Sequence, residues 1–162
     1  MNNKEVYLAD AIDVIEEVLA SEGEFKLFPR GVSMLPLIVQ DRDSVVLKRD
    51  FVNTAKKHDI VFYRRANGQF VLHRVMKVCK DNTYVMCGDN QTVLEKGVPS
   101  SCVIGVVTKI IRNGKEINLE GFWYSVYVAL WTKMFIRKPA KFCVRAVRKV
   151  YRTIRGVFTK HS

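Results

Sequence analysis

Short runs of β-branched and aromatic residues, separated by tight turns, constrain residues 24–120 to a mainly antiparallel β fold. Three dipeptides between these runs predict hairpin turns: Asn67-Gly68, Asp81-Asn82 and Asn113-Gly114. Short strands joined by such turns favour one compact β domain. The seven predicted strands are residues 24–28, 44–48, 59–63, 70–79, 83–87, 103–111 and 116–119.

Residues 1–23 form a separate unit ahead of the β domain. Residues 4–20 place apolar side chains at three- and four-residue spacing with acidic side chains opposite, which predicts an amphipathic helix ending near Gly23. We expect it to pack on the β domain, with partner binding as the alternative. Residues 1–5 show no basic segment followed by an apolar run, so we expect a cytoplasmic chain without a secretory signal or an N-terminal anchor.

The positive charge lies at the C-terminal end. Residues 1–120 hold 17 basic and 16 acidic residues, whereas residues 121–162 hold ten basic and no acidic residues. The segment 121–137 contains both tryptophans but is shorter than the roughly 20 apolar residues of a spanning helix. After Pro139 a second pattern predicts a basic amphipathic helix. We therefore assign residues 121–162 as an aromatic and basic helical tail.

This tail fits the surface of a membrane, where aromatic rings sit at headgroup depth and cations face anionic lipid. Packing on the β domain or on a protein partner, and a true membrane span, are the alternatives. We do not expect a nucleic-acid partner, although a cationic face binds phosphate without regard to sequence. The predicted location is the cytoplasm or the cytoplasmic face of a membrane. The sequence does not indicate an oligomeric state.

Four cysteines occur at irregular spacing, without a Cys-x-x-Cys pair and with few histidines to complete a metal site. We therefore expect buried free thiols, no bound metal and no cofactor. The cysteines are Cys79, Cys87, Cys102 and Cys143.

Three polar residues supply the groups that acyl transfer requires. Ser33 lies in a turn between Gly31 and Pro36, where it is a candidate nucleophile. His73 lies in the middle of an apolar strand, where a histidine needs a polar partner. Asp89 follows a strand, where its carboxylate can accept a hydrogen bond from an imidazole. A serine becomes a good nucleophile when a base takes its proton and a third group orients that base.

The order and spacing of five segments resemble the type I signal peptidase superfamily, which includes the self-cleaving repressors of the bacterial damage response. The resemblance covers about residues 25–112. Most bacterial members have a lysine base where this chain has His73, so the chain is most similar to the Ser-His branch, found in endoplasmic-reticulum and spore-former-type enzymes. The five segments are GVSMLP, HDIVFYRR, FVLHRVMKV, YVMCGDNQTVLE and VIGVVTKI.

The resemblance implies a serine endopeptidase that cuts signal or leader-like peptides after small residues. It implies Ser33 as nucleophile, His73 as general base and Asp89 as the group that orients His73. Glu95, six residues after Asp89, is a candidate auxiliary acid, and Lys77 is the rival base because strand alternation predicts it on the face of His73. The expected substrate and oxyanion vicinity comprises Gly31, Met34 and Pro36.

Several departures from the family pattern support an alternative, a catalytically inactive peptide-binding or membrane-docking module of the same fold. His58-Asp59 and Arg42-Asp43 replace two Gly-Asp turns, and Gly31 stands where many lysine-type members carry a hydroxyl group. The family's N-terminal membrane anchor is not evident. A self-cleaving DNA-bound regulator fits less well because no helix-turn-helix pattern precedes the β region.

Overall fold

Eight strands form one antiparallel sheet in the computed structural model, which describes residues 8–49 and 54–133. Two helices flank the sheet in sequence: α1 spans Leu8–Ser21 and α2 spans Phe122–Trp131. A short 3₁₀ turn at Ser100–Cys102 leads into the seventh strand. The strands are β1 Glu24–Leu27, β2 Asp43–Lys48, β3 Ile60–Arg64, β4 Phe70–Val78, β5 Thr83–Cys87, β6 Glu95–Pro99, β7 Val103–Arg112 and β8 Lys115–Ile117.

The predicted mainly β fold with a helix on either side is confirmed. The strand order is β1-β2-β7-β3-β4-β5-β6, and β8 pairs with β7. The three hairpin turns occur where they were predicted, with φ of 83° at Gly68, 61° at Asn82 and 49° at Asn113. Positive φ values suit Gly and Asn, which adopt the left-handed region more readily than other residues.

Strand β6, at Glu95–Pro99, was not predicted. Its sequence contains Gly97 and Pro99, which are rare in strand interiors, and four of its five residues are exposed or half-buried. It lies at the edge of the sheet, beside β5. Its formation brings Glu95 opposite Met86 of β5.

Helix α1 confirms the amphipathic prediction within the described residues. Ile15 and Leu19 are buried, and Val14 on the other side is 56% exposed. The helix ends at Ser21, followed by Gly23 at φ 75°, a left-handed residue that stops many helices. Residues 4–7 of the predicted helix lie outside the described residues.

The sheet separates two clusters of buried side chains. In β3, Ile60 and Phe62 belong to one cluster and Val61 and Tyr63 to the other, as expected when alternate residues of a strand point to opposite faces. The first cluster also receives α1 and the turn that contains Ser33, through Leu19 and other buried residues. The Ser33 turn therefore packs on the first cluster, whereas His73, which pairs with Val61, lies on the side of the second.

Helix α2 packs on the same sheet through Val128, Tyr124 and Tyr127. Within residues 8–49 and 54–133, no helix has both the length and the apolarity needed to cross a membrane. The helix predicted after Pro139 lies outside the described residues.

The described cysteines are free thiols, as predicted, but only Cys87 is buried. Cys79 and Cys102 are half-buried, because they lie at the ends of β4 and of the 3₁₀ turn rather than in strand interiors. Cys143 lies outside the described residues.

Candidate functional site

The Ser33 turn is held from both ends. Gly31 adopts a φ of 97°, which favours glycine, and its N–H donates to Gln40 Oε1 at 2.8 Å. Met34, immediately after Ser33, is buried in the core, while Ser33 itself is half-buried. Pro36 is exposed at the far end of the turn. Ser33 thus lies near the surface on a turn that its neighbours anchor.

A buried carboxylate fixes the chain just beyond this turn. Asp43 accepts hydrogen bonds from Arg42, from Arg112 and from the Val39 N–H, and Arg112 also donates to the Leu37 carbonyl at 2.6 Å. Although burial opposes ionisation, these donors hold the pKa of the Asp43 carboxyl well below its usual range. The altered Arg42-Asp43 turn is therefore an ion-paired anchor for the residues that follow Ser33.

The loop after β5 binds the Ser33 turn directly. The Asn90 backbone N–H donates to the Ser33 carbonyl at 2.7 Å, and Asn90 Nδ2 donates to the Val32 carbonyl at 2.9 Å. A Cβ atom at Gly88 would lie 2.6 Å from the Ser33 carbonyl oxygen and 3.2 Å from His73 Cδ2. The close approach of Ser33 and His73 around this position therefore requires glycine.

His73 is buried in β4, opposite Val61 of β3, with 1% of its surface exposed. Its Nδ1 lies 3.1 Å from the Tyr63 hydroxyl, which lies 2.8 Å from Glu95 Oε2. A carboxylate only accepts hydrogen bonds, so the single phenol proton points to Glu95 and the Tyr63 oxygen accepts from His73 Nδ1–H. We assign the Nδ1–H tautomer on this basis. It leaves Nε2, which is bonded to the Cδ2 atom facing Gly88, free to accept a proton.

Burial, followed by the positive charge of Arg65, lowers the pKa of the His73 imidazole to about 4. The carboxylates of Glu95 and Asp89 act in the opposite direction but do not offset this effect. The unperturbed imidazole pKa is about 6.5. His73 is therefore neutral at neutral pH, as a proton acceptor must be.

Glu95 links the buried histidine to the surface. Arg65 donates to it through Nε and Nη2, at 3.0 and 2.8 Å from Oε2, and the two side chains are 27% and 30% exposed. Burial opposes ionisation of Glu95, but the hydrogen bonds from Arg65 and Tyr63 outweigh it and keep the pKa of this carboxyl below its usual value. Glu95 Oε2 is 3.9 Å from His73 Nδ1, so Tyr63 provides the shorter connection.

Asp89 belongs to a different network from the one predicted. Arg74 binds both carboxylate oxygens, at 2.8 and 2.7 Å, and both side chains have no exposed surface. Tyr127 of α2 donates to Asp89 Oδ2 at 2.9 Å, and Trp131 Nε1 donates to the Asp89 carbonyl at 2.8 Å. Among the described residues, no hydrogen bond joins Asp89 to His73. The predicted contact between Asp89 and the imidazole is therefore not formed in this structure.

The structure places the Ser33 carbonyl oxygen and His73 Cδ2 beside the same position at Gly88. Among the described residues, no hydrogen bond joins Ser33 Oγ to the imidazole. Hydrogen bonds between catalytic groups are often long before a substrate binds.

Lys77, the rival base, does not share the face of His73. A bulge between Val75 and Lys77 pairs Val75 with Met86 but Lys77 with Val85, and these two partners point to opposite faces of β5. Lys77 is exposed, whereas His73 is buried. The prediction that Lys77 lies on the strand face of His73 is wrong because simple alternation does not account for a bulge.

Tyr63 and Arg74 were not singled out in the sequence, although both lie beside residues that were. Tyr63 alternates with Val61, and the pairing of Val61 with His73 places the Tyr63 side chain on the same face as His73. Arg74 follows His73, and its burial depends on Asp89 and on the tyrosines of α2, which the sequence does not place nearby. No group of three or more metal-ligating side chains occurs among the described residues.

Comparisons of the chain with protein-family models, curated proteins and solved structures found no significant match.

Proposed function

We propose that the protein is a serine endopeptidase of signal-peptidase type that cleaves signal or leader-like peptides after small residues. The observation that carries the proposal is the meeting of Ser33 and a buried, neutral His73 around Gly88, with Nδ1 of the imidazole already engaged by Tyr63. A serine hydroxyl is activated by a neutral base that can take its proton, and the Nδ1–H tautomer leaves His73 Nε2 as the acceptor in this proposal. The resemblance of the motifs supports the choice of substrate.

In the proposed reaction, Ser33 Oγ attacks the carbonyl carbon of the scissile peptide bond while His73 Nε2 takes the hydroxyl proton. The Ser33 backbone N–H is the proposed donor to the oxyanion. Collapse of the tetrahedral intermediate breaks the C–N bond, and the imidazolium returns its proton to the leaving amine. Water then attacks the acyl-serine with His73 acting again as base.

Glu95 and Tyr63 take the orienting role in this proposal, which the sequence assigned to Asp89. The Tyr63 oxygen accepts the Nδ1 proton, and Glu95 fixes the phenol by accepting its proton. When Nε2 becomes protonated, the positive charge lies within 3.9 Å of Glu95 Oε2, measured from Nδ1. That carboxylate stabilises the imidazolium, which burial and Arg65 otherwise disfavour.

The test is incubation of the purified full chain with a panel of Ala-x-Ala peptides and candidate leader peptides, followed by mass spectrometry. We expect products in the wild type and loss of cleavage in Ser33→Ala and in His73→Ala. Ser101→Ala and His58→Asn are the matched controls, because Ser101 is exposed and Asn accepts the positive φ of His58. Cleavage that survives in both Ser33→Ala and His73→Ala contradicts the proposal.

The alternative function is a peptide-binding module that does not turn over. It is favoured by the lack of a hydrogen bond between Ser33 Oγ and His73 among the described residues, and by the low basicity of an imidazole whose pKa is about 4. Peptide binding that is unchanged in Ser33→Ala, together with no product after days of incubation, supports the module over the enzyme.

A further inference from the structure

Helix α2 has apolar or uncharged side chains on every side. The ten residues of Phe122–Trp131 include no charged residue. Three of them, Tyr124, Tyr127 and Trp131, stack in sequence with ring centroids 6.4 and 5.8 Å apart and turn toward Arg74 and Asp89. A surface helix ordinarily carries polar side chains opposite its packed side. Helix α2 does not.

The outer side of α2 exposes large apolar side chains. Phe122 is 72% exposed, Trp123 is 80% exposed and Leu130 is 49% exposed. At 3.6 residues per turn these three positions fall within an arc of about 100° on the helix, next to the arc that carries the Tyr124, Tyr127 and Trp131 stack. The rings of Phe122 and Trp123 meet edge to face at 5.4 Å and extend the patch. Contiguous apolar surface of this kind marks a site of interaction.

Basic residues follow α2 in the sequence and line one of its flanks. Lys133 follows the helix and is exposed, and residues 121–162 carry ten basic and no acidic residues. A cleft of about 1030 Å³ on one flank of α2 is lined by Lys48, Lys56 and Lys109, and also by Asp59 and Glu120. The cores of protein interfaces are depleted in lysine, whereas aromatic rings flanked by cations are typical of binding to anionic membrane surfaces.

We propose that the outer face of α2, formed by Phe122, Trp123 and Leu130, docks the protein onto an anionic membrane surface. The proposal does not depend on peptidase activity. If the proposed function also holds, docking places the membrane against the helix that binds the loop next to the Ser33 turn. This is because the inner side of α2 binds Asp89, and the adjacent Asn90 binds the carbonyls of Val32 and Ser33.

The experiment is cosedimentation of the full chain with extruded phosphatidylcholine vesicles, with and without about 30% phosphatidylglycerol, at physiological salt and at about 0.5 M NaCl. The test variant replaces Phe122, Trp123 and Leu130 by serine, and Trp123→Ser alone is a milder variant. Val14→Ser is the matched control, because Val14 is an apolar residue that is 56% exposed on the other helix, α1. Circular dichroism and thermal unfolding verify that each variant is folded.

We expect wild type and Val14→Ser to bind the anionic vesicles equally, and the triple variant to bind at least about tenfold more weakly, because burial of three large apolar side chains is lost. The remaining binding of the triple variant, due to the basic tail, is expected to disappear at high salt. Trp123→Ser is expected to lose most of the blue shift of tryptophan emission on binding.

Equal binding by the folded triple variant and the wild type overturns the proposal. Absence of wild-type binding to anionic vesicles also overturns it. A wild-type dimer in light scattering that the triple variant converts to a monomer, without vesicle binding, assigns the face to a second copy of the chain instead. None of these results depends on cleavage, so failure of the docking proposal and failure of the peptidase proposal are distinguishable.

Discussion

His73 and Arg74 are neighbours in β4, yet they belong to networks that differ in burial and in chemistry. Arg74 and Asp89 form an ion pair with no exposed surface, and α2 completes it through Tyr127. His73 binds Tyr63 and, through it, a Glu95–Arg65 pair that is about one-third exposed. Adjacent residues of a strand point to opposite faces of the sheet. The side chains of His73 and Arg74 therefore belong to networks on different faces of β4.

The difference in burial assigns the stability of the fold to the Arg74–Asp89 network and the proposed chemistry to the His73 network. Removal of one partner from a fully buried ion pair leaves an uncompensated charge, whereas a partly exposed pair is screened by water. The Arg74–Asp89 pair therefore fixes the loop that holds Ser33, and the Tyr63–Glu95 pair fixes the protonation of His73. Four predictions test whether the two roles are separate.

The largest effect is expected from Asp89→Asn. It leaves Arg74 charged in a site without exposed surface, and we expect a loss of about 3–5 kcal/mol in the free energy of unfolding. Glu95→Gln is expected to cost at most about 1 kcal/mol, because the Arg65–Glu95 pair reaches solvent. Urea denaturation measures both, with the exposed Asp13→Asn as control. Equal losses from the two substitutions contradict the comparison.

Acid is expected to destabilise the protein through His73. The unfolded imidazole titrates near 6.5 and the folded one near 4, so the unfolded state binds the proton first as the pH falls. Stability is unaffected above about 6.5 and decreases by about 3 kcal/mol by pH 4. The free energy of unfolding is measured against pH for wild type and for His73→Gln. The difference between the two curves is the contribution of His73, because His58, Glu95 and Asp43 are present in both proteins. A parallel pH dependence of the two proteins contradicts the assigned shift.

Gly88→Ala tests the close approach of Ser33 and His73. The added Cβ meets the Ser33 carbonyl at 2.6 Å, so the Ser33 turn has to move. We expect peptide cleavage to decrease by about 100-fold, as for a displacement of about 1 Å at a reacting group. Gly105→Ala is the control, because its Cβ meets Leu47 at 3.2 Å, in the core between β2 and β7. Similar activity of the two variants is the result that argues against a site at Gly88.

Tyr63→Phe removes the connection between His73 and Glu95 while retaining the ring. We expect kcat to decrease by about 10- to 100-fold with KM unchanged. The decrease is smaller than the full contribution of a general base, because His73 is retained and only its orientation is lost. Tyr84→Phe is the control, because Tyr84 is a buried tyrosine of the same core cluster and, among the described residues, has no hydrogen bond to His73. Loss of stability without a change in kcat assigns Tyr63 a structural role only.

The strands and turns were largely predictable because alternation and turn chemistry are local properties. Seven of the eight strands and all three hairpin turns were predicted. Strand β6 was missed because its pairing with β5, rather than its own composition, determines its conformation. The bulge between Val75 and Lys77 has no signal in the sequence, and it reversed the predicted side of Lys77.

The sequence singled out Ser33, His73, Asp89 and Glu95, but not the hydrogen bonds that connect these residues. Ser33 and His73 were expected together, and they meet at Gly88. The partner of His73 Nδ1 is Tyr63, because β3 pairs with β4 in a register that a single sequence does not reveal. Asp89 binds Arg74 because α2 and the β5 loop enclose the two groups away from water, and tertiary packing of this kind has no sequence period.

The protonation of His73 is the central claim, and nitrogen NMR tests it most directly. Long-range ¹H–¹⁵N spectra of the full chain over pH 3–9 report the tautomer and titration of its three histidines, and His73→Gln assigns the relevant signals. We predict the neutral Nδ1–H tautomer at pH 7 and a titration midpoint near 4. A neutral Nε2–H tautomer, or a midpoint at or above about 6.5, contradicts the account.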